Sequence, residues 1–359
     1  MNWKTKLVCT ALCAAQLLCA IPSVCAAEAA AITPDMTMQQ IRNDPVMQQS
    51  GLFLYGSFGE GTQWTRSRLE DQTLQEYAWG QAAEETAAAL NLAAQNTEDG
   101  VQVTWQVYRP EEIAADPSLG CVQLFYFPAG QPNAKYVLVV GGNAHIKTGE
   151  FGEALASASE LHEKGYAVFV LRYRTFMDAG EDAPLQDILR AMKFIDEHTA
   201  QFNVQREDYA LLGYSSGGHI VGLAASENKK YGYRQLGIPA PAAVILGYPV
   251  NDFFELKPVY SVLMDPSKPC GHYYWHTVSG EITSNYPPTY VWCGRNDGTL
   301  AGMGWNRQVP EIEKALQDAG VTHQAVYYDN AEHAVGVGRG TEAEGWIADA
   351  VAFWEEQCR

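Results

Sequence analysis

Residues 211–222 read LLGYSSGGHIVG, with two adjacent serines among glycines directly after an apolar run. A serine hydroxyl is a weak nucleophile and becomes useful when a neighbouring base, itself oriented by a carboxylate, takes its proton. Gly213-Tyr214-Ser215-Ser216-Gly217 fits G-x-S-x-G, a strand-to-helix turn that thrusts the central side chain out at the top of a sheet. Centring the pattern on Ser216 would put Tyr214 where glycine is needed, so the register selects Ser215. A plain glycine-rich connection would use the same residues, and only partner residues in the right places separate the two readings.

In this architecture the partners follow in the order acid, then histidine. The histidines after Ser215 are His219, His272, His276, His323 and His333. His333, in YYDNAEHAVGVG, follows the last strand-like run in a loop of small residues and is the expected base. His219 lies one turn into the helix that the serine opens and should point away. His323 precedes its strand, at the wrong end of a sheet, and His272 and His276 belong to an insertion. The expected acid is Asp297 in TYVWCGRNDGTL, where Gly294 and Gly298 let the loop bend. Asp252, after ILGYPV, is the rival. Glu332 adjoins His333, and neighbouring side chains diverge.

A serine attack on a carbonyl also needs backbone N–H groups for the developing oxyanion. The Ser216 amide, at the positive end of its helix, is one expected donor. The second should come from GGNAHIKTGE, the loop after YVLVV, which leaves Gly142 or Asn143.

The surrounding chain supplies elements that can hold these residues. VQVTWQVY (101–108) and CVQLFYF (121–127) alternate as half-exposed antiparallel strands do. YVLVV (136–140), YAVFVL (166–171), YALLG (209–213), AAVILG (242–247), TYVWCG (289–294) and QAVYYD (324–329) are short continuous apolar runs, the texture of parallel strands buried on both faces. Helical patterns lie between them at 149–165, 183–199, 216–227, 309–320 and 342–357. Alternating strands and helices predict an α/β protein with a doubly wound, mostly parallel sheet of eight strands and helices on both faces. Ligands then sit beyond the carboxyl ends of the strands, which is where Ser215, Asp297 and His333 fall.

The remaining organisation is simpler. Residues 27–100 read as an N-terminal extension packed on the main domain at 101–359, with an alanine-rich helical stretch at 74–95. The segment 251–288 interrupts the alternation and reads as a cap-like insertion. Its His272, Tyr273, Tyr274 and Trp275, together with Tyr214 beside the nucleophile, are candidate substrate contacts, although aromatic residues there would equally pack a cap onto a core.

Residues 1–26 carry Lys4 and Lys6, an apolar run from Leu7 to Ile21 and small residues at Val24 and Ala26, the layout of a cleaved secretory signal. That run is shorter than the ~20 residues that span a bilayer, so stable membrane insertion is not expected. Loss of this segment would take the formal net charge from −18 to −20, which disfavours nucleic acid and anionic membrane surfaces. Cys121, Cys270, Cys293 and Cys358 would remain, with pairing open and a spacing unlike a zinc site.

Taken in order, GGNAHIKTGE, KGYAVFVLRYR, APLQDILRAMKFI, GYSSGGHIVG, PPTYVWCGRND and AEHAVGVG resemble the α/β-hydrolases over about residues 120–357. The resemblance is to the esterase and lipase branch that includes acetyl esterases and feruloyl/acetyl xylan esterases. It implies an α/β-hydrolase fold and a serine carboxylesterase acting on short acyl esters, acetyl first, on small molecules or oligosaccharides. No metal or organic cofactor is implied. Prolyl-oligopeptidase-like peptidases share the triad but carry a propeller domain, for which no repeat is present. An inert binding scaffold would lack a triad residue. Four positions depart from the family pattern: Asn143 and Ala144 replace a third glycine and an aromatic, Gly298 follows the acid in place of an apolar residue, and Ala334 replaces the glycine after the histidine.

Overall fold

A computed structural model of the chain describes residues 31–53, 71–78, 82–145, 148–175, 182–256, 276–299 and 305–359. The expected signal segment, Cys270, His272, Tyr273, Tyr274 and Trp275 lie outside the described residues.

Eight strands form one sheet in the order β1-β2-β4-β3-β5-β6-β7-β8. They are β1 (Thr104–Gln106), β2 (Gln123–Phe127), β3 (Tyr136–Val140), β4 (Ala167–Arg172), β5 (Ala210–Tyr214), β6 (Ala243–Gly247), β7 (Thr289–Gly294) and β8 (His323–Tyr328). β2 pairs antiparallel with β1 and with β4, and every pairing from β4 to β8 is parallel. Because β2 pairs antiparallel on both sides, β1 and β4 run in the same direction. The antiparallel character expected of the first two strands is therefore carried by β2.

Six principal helices complete the layers: α1 (Ala83–Glu98), α2 (Leu155–Glu163), α3 (Ala183–Glu197), α4 (Ser215–Ala224), α5 (Trp305–Ala319) and α6 (Trp346–Gln357). α2 packs with both α1 and α6, whereas α4 packs with α3 and α5 lies on β7 and β8. Every residue of β3 to β7 is buried, as two-sided coverage requires.

Two strand expectations are corrected. β2 is buried along its whole length, not half-exposed, because it is an interior strand covered by aromatic packing. The Tyr126 ring stacks on Phe169 at 4.9 Å, and Phe202 closes over both. β8 is only half-buried, because it is the last strand of the sheet and has one strand neighbour.

The segment before Val101 shares the core of the sheet. Met38, Ile41, Met47, Leu52, Leu74 and Leu90 are all essentially inaccessible and belong to the same apolar cluster as β2 to β7. The helical stretch at 74–95 is divided into a single turn at Leu74–Tyr77 and the long α1. Arg172, at the end of β4, ties this segment inward by donating to the Leu52 carbonyl at 3.0 Å and to Glu150 Oε1 at 2.6 Å. Both ion-pair partners are buried, so loss of either would strand a charge in the interior.

The helix expected from residue 149 starts late. Within Glu150–Ala154 the backbone leaves helical geometry at Phe151 (φ −83°, ψ 139°) and Gly152 (φ 81°, ψ −20°), and regular helix begins at Leu155. This kink turns Glu153 inward, where it is 1% exposed.

Candidate active site

β5 ends at Tyr214 and α4 begins at Ser215 with no intervening residue. Ser215 absorbs the turn itself, at φ 50°, a left-handed conformation that disfavours residues with a Cβ. The flanking Gly217 serves close approach: a Cβ there would meet the Val140 carbonyl oxygen at 2.4 Å. The helix is thus seated directly on the end of β3.

Ser215 retains 6% exposure, whereas Ser216 is fully buried and its hydroxyl accepts the His145 N–H at 3.3 Å. His333 Nε2 stands 2.9 Å from Ser215 Oγ, and His333 Nδ1 stands 2.7 Å from Asp297 Oδ2. An ionised carboxylate can only accept, so Asp297 holds the ring proton on Nδ1 and leaves Nε2 to accept from the serine. Asp297 follows β7 and His333 follows β8, both beyond carboxyl ends of parallel strands. The structure therefore brings Ser215, His333 and Asp297 into one hydrogen-bonded line.

The competing residues are engaged elsewhere. Asp252 is buried and accepts two hydrogen bonds from the Arg307 guanidinium, at 2.6 and 2.8 Å. His219 places Nε2 2.9 Å from the His276 carbonyl, and burial depresses its pKa to about 4. His323 Nδ1 lies 2.8 Å from the Val321 carbonyl. Tyr214 does not face an opening: it is wholly buried, bonded to the Ser157 hydroxyl, and packed on Tyr248 and Trp346. Its expected substrate contact is corrected to a core contact behind the serine.

The loop after β3 meets the serine at Gly142, where a Cβ would come within 2.6 Å of Ser215 Cβ. Its amide, however, is bonded to Glu153 Oε2 at 2.6 Å. Gly142 is thereby corrected as an oxyanion donor. Tyr173 Oη donates to the Gly141 carbonyl at 2.9 Å and lies 3.4 Å from the Gly142 carbonyl. In a trans peptide the carbonyl and the following N–H point in opposite directions, so the Asn143 N–H points away from Tyr173. Asn143, Ala144 and His145 all have positive φ, at 87°, 54° and 57°. Ala334, after the histidine, is left-handed too at φ 62°.

Sequence reasoning missed Glu153 and Tyr248. Tyr248 follows β6 at φ 37°, and its ring centroid lies 4.8 Å from that of His333. Its hydroxyl donates to Glu153 Oε1 at 3.0 Å and accepts the Gly336 N–H at 3.1 Å. Burial raises the Glu153 pKa, against the opposing effect of the Gly142 N–H bond. No periodicity marks either residue, since both depend on local backbone kinks.

Comparison with known proteins agrees with the fold. A solved acetyl ester-xyloside bifunctional hydrolase from Caldicellulosiruptor lactoaceticus matches 70% of this chain and 95% of its own, with a TM-score of 0.58 at 19% identity. The chain has the α/β-hydrolase fold. The BD-FAE family model matches residues 123–268, and the chain resembles the esterase branch of the α/β-hydrolases. An acetylxylan esterase from Xylanibacter ruminicola is 22% identical over 228 residues, covering 61% of this chain and 45% of that protein. An endo-1,4-beta-xylanase B from Butyrivibrio fibrisolvens is 26% identical over 173 residues, covering 46% of this chain and 27% of that protein. The chain thus spans less than half the length of these curated relatives.

Proposed function

We propose that the protein is a serine carboxylesterase that removes short acyl groups, acetyl first, from carbohydrate or small-molecule alcohols. The observation that carries this reading is the line Ser215–His333–Asp297, with spacings of 2.9 and 2.7 Å and a strained backbone at the serine. Ser215 Oγ attacks the ester carbonyl as His333 Nε2 takes its proton. The tetrahedral oxyanion is held by the Ser216 amide, at the positive end of α4, and by the Asn143 amide. His333 then protonates the departing alcohol, leaving Ser215 acylated. Water attacks the acyl carbon, His333 takes the water proton and returns it to Ser215, and the acid leaves. Asp297 orients the imidazole and offsets its charge throughout.

The carbohydrate preference draws on the similarity to an acetylxylan esterase and to an acetyl ester-xyloside hydrolase. A place of action outside the cytoplasm draws on the signal-like layout of residues 1–26. Among the described residues, no helix is long and apolar enough to cross a membrane.

The test is hydrolysis of p-nitrophenyl acetate, butyrate and octanoate beside acetylated xylo- and manno-oligosaccharides, together with labelling by a serine-reactive phosphonate. Turnover falling from acetate to octanoate, with acetate released from the oligosaccharides, is expected. Stoichiometric labelling without ester turnover would remove the esterase reading in favour of a peptidase, and absence of labelling would favour an inert scaffold.

A further inference from the structure

We propose that Glu153 is a positioning residue that locks the oxyanion loop and the wall behind the general base into one unit. The inference rests on the roles given above to Ser215 and His333. One carboxylate oxygen holds the loop through the Gly142 N–H at 2.6 Å, and the other takes the Tyr248 hydroxyl at 3.0 Å. Tyr248 in turn receives the Gly336 N–H, three residues beyond the histidine, and lays its ring against the His333 ring. The segment after β3 and the segment after β8 are therefore joined through two side chains.

Several features show a site built around this carboxylate. Glu153 is inaccessible, and an unpaired buried carboxylate is costly, so packing alone would favour an apolar residue. Room is kept for it: a Cβ on Gly149 would strike Glu153 Oε2 at 2.5 Å. The chain also breaks its helix at Phe151 and Gly152, which brings Glu153 to face the loop. A negative group near a developing oxyanion opposes it electrostatically, so the use of Glu153 is geometric. By engaging the Gly142 N–H it fixes the Gly141–Gly142 peptide, and the Gly142 carbonyl near Tyr173 Oη sets the direction of the next one. The Asn143 N–H is then held in one direction before any ester arrives, the condition under which such donors act without reorganisation. The same residue keeps Tyr248 pressed on the imidazole, so the acceptor nitrogen stays at hydrogen-bond distance from Ser215.

The test compares wild-type protein with Glu153→Ala, Glu153→Gln and Tyr248→Phe, measuring kcat and KM on p-nitrophenyl acetate and the rate of Ser215 phosphonylation. Glu153→Ala should lower kcat about 10–100-fold with KM within about threefold, and slow phosphonylation in parallel. Glu153→Gln keeps an acceptor for Gly142 and should restore kcat to within about fivefold of wild type. Tyr248→Phe keeps the ring and cuts the link, and should lower kcat about 3–10-fold. If Glu153→Ala does not fold, the Tyr248→Phe loss decides. Glu153→Ala and Tyr248→Phe both within twofold of wild type in kcat, or a loss carried by KM, would overturn this inference while leaving the esterase reading intact. A wild-type protein that neither turns over esters nor labels would defeat both.

Discussion

His145 donates its backbone N–H to the Ser216 hydroxyl across 3.3 Å, so the second serine braces the loop and the first alone faces the imidazole. Ser215→Ala should therefore abolish phosphonate labelling and reduce kcat by about 10⁴-fold or more. Ser216→Ala keeps its own amide but removes the hydroxyl that accepts the buried His145 N–H, a loss of about 1–3 kcal/mol. It should still label to completion, with kcat reduced less than tenfold and a lower melting temperature. Labelling that survives Ser215→Ala would reverse the assignment.

The two candidate acids should separate by readout. Asp297→Asn presents an amide to His333 Nδ1 and permits the wrong tautomer, so kcat should fall about 10³–10⁴-fold with little change in Tm. Asp252→Asn weakens the bidentate contact with Arg307, whose side chain is 31% exposed, and should destabilise by about 1–3 kcal/mol while kcat stays within a few-fold. Urea unfolding beside steady-state kinetics on both variants checks the pair. Equal kcat losses would leave the choice of acid unsupported.

Ala334 holds φ 62° directly after His333, a conformation in which a β-branched residue is strained. Ala334→Val should cost about 1–2 kcal/mol and lower kcat several-fold by displacing the imidazole. Ala334→Gly should keep kcat within about twofold, because relief of strain offsets the greater freedom of the unfolded chain. Thermal melts and kinetics on the two variants give the comparison, and a well-behaved Ala334→Val would show that this backbone is unconstrained.

His219 is buried against the His276 carbonyl, and desolvation brings its pKa from 6.5 down to about 4. A depressed folded pKa means that the unfolded chain binds the proton first. The stability contribution is complete above pH about 6.5 and is lost as pH falls toward about 4, by on the order of 3 kcal/mol. His219→Gln should flatten that part of the stability-versus-pH curve in urea titrations. An unchanged slope between wild type and variant would argue against a buried neutral imidazole.

Much of the site was legible because its chemistry is tied to chain order. Ser215, Asp297 and His333 each follow an apolar run short enough to be a strand, and a parallel sheet delivers such residues to the same edge. Glu153 was hidden because GEFGEALASAS reads as an amphipathic helix, in which an acid is ordinarily solvated. Only the break at Phe151 and Gly152 turns it inward, and no local pattern announces that break. The choice between Gly142 and Asn143 stayed open for the same reason, since it depends on a carboxylate eleven residues away. β2 and β8 were misread in burial because coverage depends on what lies above a strand and beside it, which its own residues do not specify.

The run Asn143-Ala144-His145 sits in left-handed backbone, and each residue carries a Cβ. Glycine would accept this shape with less strain but would also wander from it, because its free backbone visits many others. Side chains narrow that wandering, and contacts at Glu153, Tyr173 and Ser216 select the remaining shape. The loop loses its conformational freedom once, when the chain folds, and not again at each turnover. On the esterase reading proposed above, selectivity among acyl groups follows from how well each fits the outline of this loop.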